Sequence, residues 1–187
     1  MNCPVDNGAL TRTELATGLP AFECSRCHGR WLRYGDYLGW RERQGTNVPE
    51  TPHDPNAAAP APEPALGARR CPDCGRFLTR YRVGYGIPFT LDQCNQCNGV
   101  WLDAAEWETL EARGLHDDLH DMFGPGWQHG VRTKEQRRLT EVQFTRQLGA
   151  SDFARLREFG AWLAEHPRAS EALAYLQWVT SVRLRKG

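Results

Sequence analysis

Two Cys-x-x-Cys pairs, Cys71-Pro-Asp-Cys74 and Cys94-Asn-Gln-Cys97, constrain this chain more than any other feature in it. Two residues between cysteines close a tight knuckle that points both sulfurs at one ion, and two knuckles complete a tetrahedral four-thiolate shell. Zinc suits that shell, because a d¹⁰ ion imposes no geometry of its own and accepts soft thiolates. Four sulfurs leave no position open for a substrate, so the spacing predicts a structural site. All seven cysteines (Cys3, Cys24, Cys27, Cys71, Cys74, Cys94, Cys97) fall in or near such motifs. An odd count at this spacing points away from a disulfide framework and toward metal ligation in a reducing compartment.

The first forty residues are a copy of this module. Aligning Cys3 with Cys71 places Pro4 on Pro72, Leu10 on Leu78 and Pro20 on Pro88. A two-residue shift then aligns Cys24 and Cys27 with Cys94 and Cys97, Gly29 with Gly99, Trp31-Leu32 with Trp101-Leu102, and Asp36 with Glu106. The copy departs at one ligand position, where Asp6 stands opposite Cys74. A second metal set therefore comprises Cys3, Cys24 and Cys27 completed by the carboxylate of Asp6 or by the imidazole of His28, both acceptable to zinc. Asp6 holds the ligand position. His28 aligns with the non-ligand Asn98 and would have to fold its ring back. A knuckle without metal is the third alternative.

Between the knuckles of each module lie strand and turn signals: Leu10 to Leu15 returning through Ala21-Phe22-Glu23, and Phe77 to Val83 returning through Ile87 to Leu91. Each reads as a β-hairpin with a knuckle at either end. Pro20 and Pro88 cannot donate to a ladder, which predicts edge positions. Asp103-Ala-Ala-Glu106 has the form of a capping box and predicts a short helix from about Ala104, with Trp107, Leu110 and Leu115 on its apolar face. In the first module, two glycines in Gly35 to Trp40 predict a shorter helix. Trp31 and Trp101 are expected to pack over the hairpins. Modules of forty residues cannot bury enough apolar area to fold unaided, so metal must supply much of the folding free energy.

The sequence thus divides into modules at 1–45 and 70–115, a Pro/Ala-rich linker at 46–69, a connector at 116–132 and a helical region at 133–187. The linker lacks any periodic apolar face and reads as an extended spacer. Seven acids against one arginine make the stretch from Leu102 to Phe123 acidic. His116 and His120 there have i,i+4 spacing, but no third convergent ligand is evident, and a solvated helix end accounts for them. Gly124-Pro125-Gly126 is expected to break the chain. Helices follow from Thr133 to Leu148, from a Ser151 cap to Glu165, and from a Ser170 cap through Val182, the last two forming a hairpin with Trp162, Tyr175 and Trp178 as core or partner surface. No apolar run of about 18 residues and no signal pattern occur, so a soluble, cytoplasmic protein without membrane attachment is expected.

The run Cys-Pro-x-Cys or Cys-Pro-x-Asp, hairpin, Cys-x-x-Cys-x-Gly-x-Trp-Leu, closed in the second module by Asp103, resembles the prokaryotic transcription factor IIB-type zinc ribbon family, in two copies. The resemblance implies a small α+β fold of two ribbons with a helical C-terminal region. It also implies Cys71, Cys74, Cys94 and Cys97 as ligands and supports Asp6 in the first copy, which departs from the pattern at Arg33 and His28. Two zinc ions and a non-catalytic role presenting the ribbons to a protein partner or to nucleic acid are the expectation. Formal charge is zero, so the balance of the whole chain gives no argument for a polyanion. Arg69, Arg70, Arg76, Arg80 and Arg82, with Tyr81 and Tyr85, are the local case for nucleic acid. They also suit the net charge of about minus two on a zinc tetrathiolate. An iron-based electron carrier, or a metal-dependent enzyme exchanging Asp6 for water, is the alternative. No nucleophile–base pair or phosphate loop supports it.

Overall fold

In the computed structural model residues 1–44 and 67–184 are described, so the expected linker lies outside the described residues except for its last three. The first module forms β1 (Leu10–Ala16), β2 (Leu19–Cys24), β3 (Arg30–Leu32) and helix α1 (Tyr34–Gln44). The second forms β4 (Thr79–Gly84), β5 (Ile87–Gln93), β6 (Val100–Leu102) and helix α2 (Glu106–Ala112). In each hairpin the register slips once, at Leu15 and at Val83, which occupy matching positions and are both buried. Tyr85 and Gly86 both take positive φ, the geometry whose twist matches a two-residue hairpin.

The third strand of each module was not foreseen, and it joins the two. β3 pairs antiparallel with β6 in the register Arg30↔Leu102, Trp31↔Trp101, Leu32↔Val100, giving one six-stranded sheet in the order β1-β2-β3-β6-β5-β4. Because aligned residues 31 and 101 face each other, a local two-fold axis passes through that pair. Pro20 and Pro88 therefore lie on internal strands. They are tolerated because β3 reaches only Phe22 and Glu23 of β2, and β6 only Asp92 and Gln93 of β5, so both prolines sit beyond the paired stretch.

Alternation along β3 and β6 gives the sheet two different faces. Trp31 and Trp101 lie on one, packed with the cysteines. Leu32, Val100 and Leu102 lie on the other, in a single apolar cluster that draws on both modules and includes Tyr37, Trp40, Trp107 and Leu110 from the helices. Helix α1 is longer than α2, the reverse of expectation from its glycines. Tertiary contacts override propensity there: Tyr37 and Trp40 are buried, the Tyr37 hydroxyl lies 2.8 and 2.7 Å from the carbonyls of His116 and Asp117, and Trp40 Nε1 donates to the Thr17 carbonyl. Helix α2 starts at Glu106, later than expected. Glu106 accepts from the Asp103 N–H at 2.8 Å, one half of a capping box, while the Asp103 carboxylate is engaged elsewhere.

Two 3-10 turns, His116–Asp118 and Asp121–Phe123, lead into helix α3 (Pro125–Leu148). Gly124-Pro125-Gly126 starts this helix instead of interrupting the chain, since proline suits the first helical position, whose N–H has no partner anyway. Trp127 Nε1 donates to the Val83 carbonyl at 2.8 Å and Gln128 Nε2 to that of Arg82 at 2.8 Å, covering the outer edge of β4.

The chain divides into two units, residues 1–133 and 134–187. The second holds the end of α3 with helices α4 (Ala150–Glu165) and α5 (Ala169–Leu184). Gly149, at φ 84, precedes α4 in place of the expected Ser151 cap, and Ser170 lies inside α5. Helices α4 and α5 are joined across Pro167 and touch. Among the described residues of this unit only Leu163 is buried, and Trp162, Tyr175 and Trp178 are 51, 62 and 62 % exposed. They make no core among the described residues of this unit. No helix among the described residues is long and apolar enough to cross a membrane.

Candidate metal centres

Four knuckles with one backbone pattern build the two sites. In each, the first cysteine's N–H donates to a carbonyl five residues on and its own carbonyl accepts from the residue four on: Cys3 with Gly8 and Asn7, Cys24 with Gly29 and His28, Cys71 with Arg76 and Gly75, Cys94 with Gly99 and Asn98. The turn closes through a residue at positive φ, namely Asn7, His28, Gly75 or Asn98. Asparagine and glycine enter that region at little cost, which explains their presence at three of the four places. His28 serves this backbone role, and its ring lies 3.3 Å from the Glu23 carboxylate.

The knuckles bring Cys71, Cys74, Cys94 and Cys97 into one group and Cys3, Asp6, Cys24 and Cys27 into another, each with donor atoms within 4.8 Å of one another. Sulfurs of Cys71 and Cys97, of Cys74 and Cys94, and of Cys3 and Cys27 are each 3.5 Å apart. Ligands about 2.3 Å from a tetrahedral ion lie about 3.8 Å apart, so only a small expansion admits zinc. Asp6 Oδ2 is 3.3 Å from Cys24 Sγ. Its other oxygen, Oδ1, accepts from the Gly8 N–H at 2.9 Å and from Arg26 at 3.2 Å, and Arg26 also holds the Asp6 carbonyl at 2.7 Å. The carboxylate is thus oriented by its outer partners as a metal ligand must be. The Gly8 N–H, followed by the Cys3 and Cys24 thiols and the Arg26 charge, holds its pKa below the usual range.

The thiols are inequivalent before metal enters. Burial drives Cys71 and Cys3 well above the ordinary thiol value. Burial also opposes ionisation of Cys94, but the N–H groups of Cys97 and Gln96 outweigh it and bring this thiol to about 7; Cys24 is lowered in the same way by the N–H groups of Cys27 and Arg26. Within each second knuckle the first cysteine is thus favoured as thiolate, while burial raises its partner, Cys97 or Cys27. The donor sets fit two zinc ions, which would act as structural cross-links.

The family model described as transcription factor zinc-finger, a TFIIB-type zinc ribbon, matches residues 2–43 and 70–113. The match falls twice on the chain, once on each ribbon-like module. No curated protein and no solved structure matched it.

The two ribbons interlock through residues that carry the shared signature. Both tryptophans are fully buried. A β-carbon on Gly29 would lie 2.2 Å from Trp101 Cζ2, and one on Gly99 would lie 2.3 Å from Trp31 Cζ2, so each glycine seats the indole of the other ribbon. Packing of the indoles was expected within each hairpin; it occurs across the pair. The indole N–H groups break the symmetry. Trp101 Nε1 donates to Asp103 at 2.9 Å, whereas the matching position in the first ribbon is Arg33, and Trp31 Nε1 donates to Asp73 of the second ribbon at 2.9 Å. Arg33 completes the exchange with a forked pair to the same Asp73, at 2.8 and 3.1 Å. Arg30 and Glu108 form a further ion pair between ribbons. Sequence reasoning missed Asp73 and Arg26. The available signal was the swap of Arg33 for Asp103 together with a new acid, Asp73, opposite Val5.

His116 and His120 form no metal pair. His116 packs against the rings of Trp40 and Trp107, and His120 Nδ1 lies 2.7 Å from the Arg41 guanidinium, a neighbour that opposes a cation.

Proposed function

We propose that the chain is a non-catalytic zinc protein whose fused ribbons form a rigid base for protein–protein association. The observation that carries this reading is how the side chains around the intact ribbon are spent. Arg69 is buried between Asp92 and Asp103, Arg80 pairs with Asp92, and Arg70 lies over the Phe77 ring at 4.3 Å. Tyr81 donates to Asn95 and its ring meets Phe123, while Tyr85 packs on Trp127. Base stacking and phosphate contacts need such groups at the surface. Of the candidate set Arg69 is buried and Tyr81 half-buried, while Arg70, Arg80 and Tyr85 are exposed but engaged by these neighbours, which leaves Arg76 and Arg82 as the main open basic groups. The second unit, by contrast, presents large apolar side chains, the surface chemistry of protein association. Closed four-donor sets argue against catalysis at the metals.

The test is anisotropy of labelled mixed-sequence DNA and RNA titrated with zinc-loaded protein at low salt, alongside metal analysis. The expected result is no salt-dependent binding and about two zinc ions per chain. Tight binding that weakens steeply with salt would replace the proposal with a nucleic-acid role, and a coloured iron protein would replace it with redox chemistry.

A further inference from the structure

We infer that the α4–α5 hairpin is a self-association surface whose occupant is the same hairpin of a second copy of this chain. From Ala172 to Val182 helix α5 carries no charged side chain. At 100° per residue, Trp178, Val182, Tyr175, Val179, Ala172, Leu176 and Leu173 span an arc of roughly 220°, about twice what packing on one neighbour requires. Only the middle of that arc, Ala172 and Val179, is partly covered. Its shoulders stay open: Leu173 is 47 % exposed on one side, and Tyr175, Trp178 and Val182 are 62, 62 and 40 % exposed on the other. Helix α4 adds an aromatic pair, Phe159 and Trp162, with ring centroids 5.4 Å apart and exposures of 39 and 51 %. A helix of this length with so little buried is marginal on its own, and one apolar around more than half its circumference belongs inside a bundle.

Area and charge select the occupant. The exposed parts of the six side chains just given exposures amount to roughly 600 Å², most of the ~800 Å² that each partner contributes to a standard interface. Two helical hairpins make a four-helix bundle, the smallest closed arrangement that covers both shoulders of α5. Charges on α4, in the turn after it and at the start of α5 are of both signs, Asp152, Glu158, Glu165 and Glu171 against Arg155, Arg157 and Arg168, so a copy meets no single-sign field. A membrane surface fits less well. Interfacial helices set a narrow apolar face against a strongly charged one, whereas the remaining face of α5 is Ala174, Gln177 and Ser181, and Thr180 lies within the apolar arc between Leu176 and Leu173.

This inference deepens the proposed function by naming one protein partner. The test is sedimentation equilibrium of the full zinc-loaded chain up to about 100 µM, with Tyr175→Glu and Trp178→Glu as variants. Both side chains are exposed in the protomer, so circular dichroism and zinc content should be unchanged by either substitution. The expected mass is twice 21.2 kDa for the parent and 21.2 kDa for both variants. A monomeric parent, or a dimer indifferent to both substitutions, overturns the inference. A monomer that floats with phosphatidylglycerol vesicles assigns the face to membrane and also overturns it. A monomer that binds another protein overturns the inference while leaving the proposed function standing.

Discussion

At Asp6 the first ribbon replaces a soft thiolate by a hard oxygen, and the surrounding groups compensate by fixing that oxygen in place. Gly8 and Arg26 hold Oδ1, and both carboxylate oxygens lie within 3.4 Å of Cys24 Sγ, with only Oδ2 free of these outer partners. Asp6→Asn keeps the shape but removes the charge, and is expected to weaken zinc at the first site by at least ~100-fold, whereas Arg26→Ala, which removes only the orienting partner, should cost about 10-fold. Competition with a chromophoric chelator measures both, and equal losses would show that Arg26 is more than an orienting group. Glu106 presents the opposite situation, a carboxyl that the fold keeps neutral. Burial, then the nearby Asp103 carboxylate, pushes it from 4.5 up to about 8. A raised carboxyl binds its proton more tightly in the folded chain, so its stabilising share is complete below about 4.5 and is lost as pH rises toward 8. The parent should lose stability relative to Glu106→Gln by about 1.4 kcal/mol per pH unit between about pH 6 and about pH 8, and the two should run parallel above that. Urea unfolding at fixed free zinc is the measurement, and parallel curves throughout would mean that Glu106 is ionised in the fold.

Among the elements, β3 and β6 decide the architecture although each has three residues. Their pairing rests on indoles that fill the space over Gly99 and Gly29. Neither glycine has positive φ, so a methyl group there acts by steric overlap alone. Gly99→Ala is expected to displace Trp31 and cost about 1–3 kcal/mol, with Gly29→Ala costing about the same by symmetry. Thermal unfolding of the zinc-saturated protein reads this, and an unchanged midpoint in both variants would mean that the indoles move aside freely. The same elements mark the limit of what the sequence discloses. Knuckle spacing specifies ligands because the chemistry is local, and alternation specifies the hairpins for the same reason. Val100-Trp101-Leu102 is too short to show a period, and its partner lies about seventy residues away, so neither the strand nor the joined sheet could be read from pattern. Helix α1 was underestimated because Tyr37 and Trp40 are held by groups remote in sequence. Leu139 and Trp162 gave correct helices without a core, because apolar periodicity identifies a face to be covered and not what covers it.

For residues 1–133 as a whole, the joined sheet turns two small modules into one folding unit. A ribbon of about forty residues buries too little to fold alone, and a structural zinc site contributes about 10–16 kcal/mol where it closes. The first ribbon receives further support from the second through β3–β6 pairing, through Asp73 on Trp31 and Arg33, and through an apolar cluster to which both contribute. Loss of the four-sulfur site should therefore propagate. Cys94→Ser removes a ligand thiol of the second ribbon whose pKa the fold lowers. It is expected to reduce bound zinc from about two ions per chain to well below one, because the first site loses the scaffold that holds β3 and Trp31 in place. The reverse substitution, Asp6→Ala, should leave close to one ion bound, since the second ribbon keeps four sulfurs and the cover of Trp127 and Gln128 over β4. Metal analysis after gel filtration, with far-ultraviolet circular dichroism on the same fractions, distinguishes this asymmetry from two independent ribbons. Independence would leave one tightly bound zinc in each variant. Coupling would leave that ion only in Asp6→Ala and would unfold most of the sheet in Cys94→Ser.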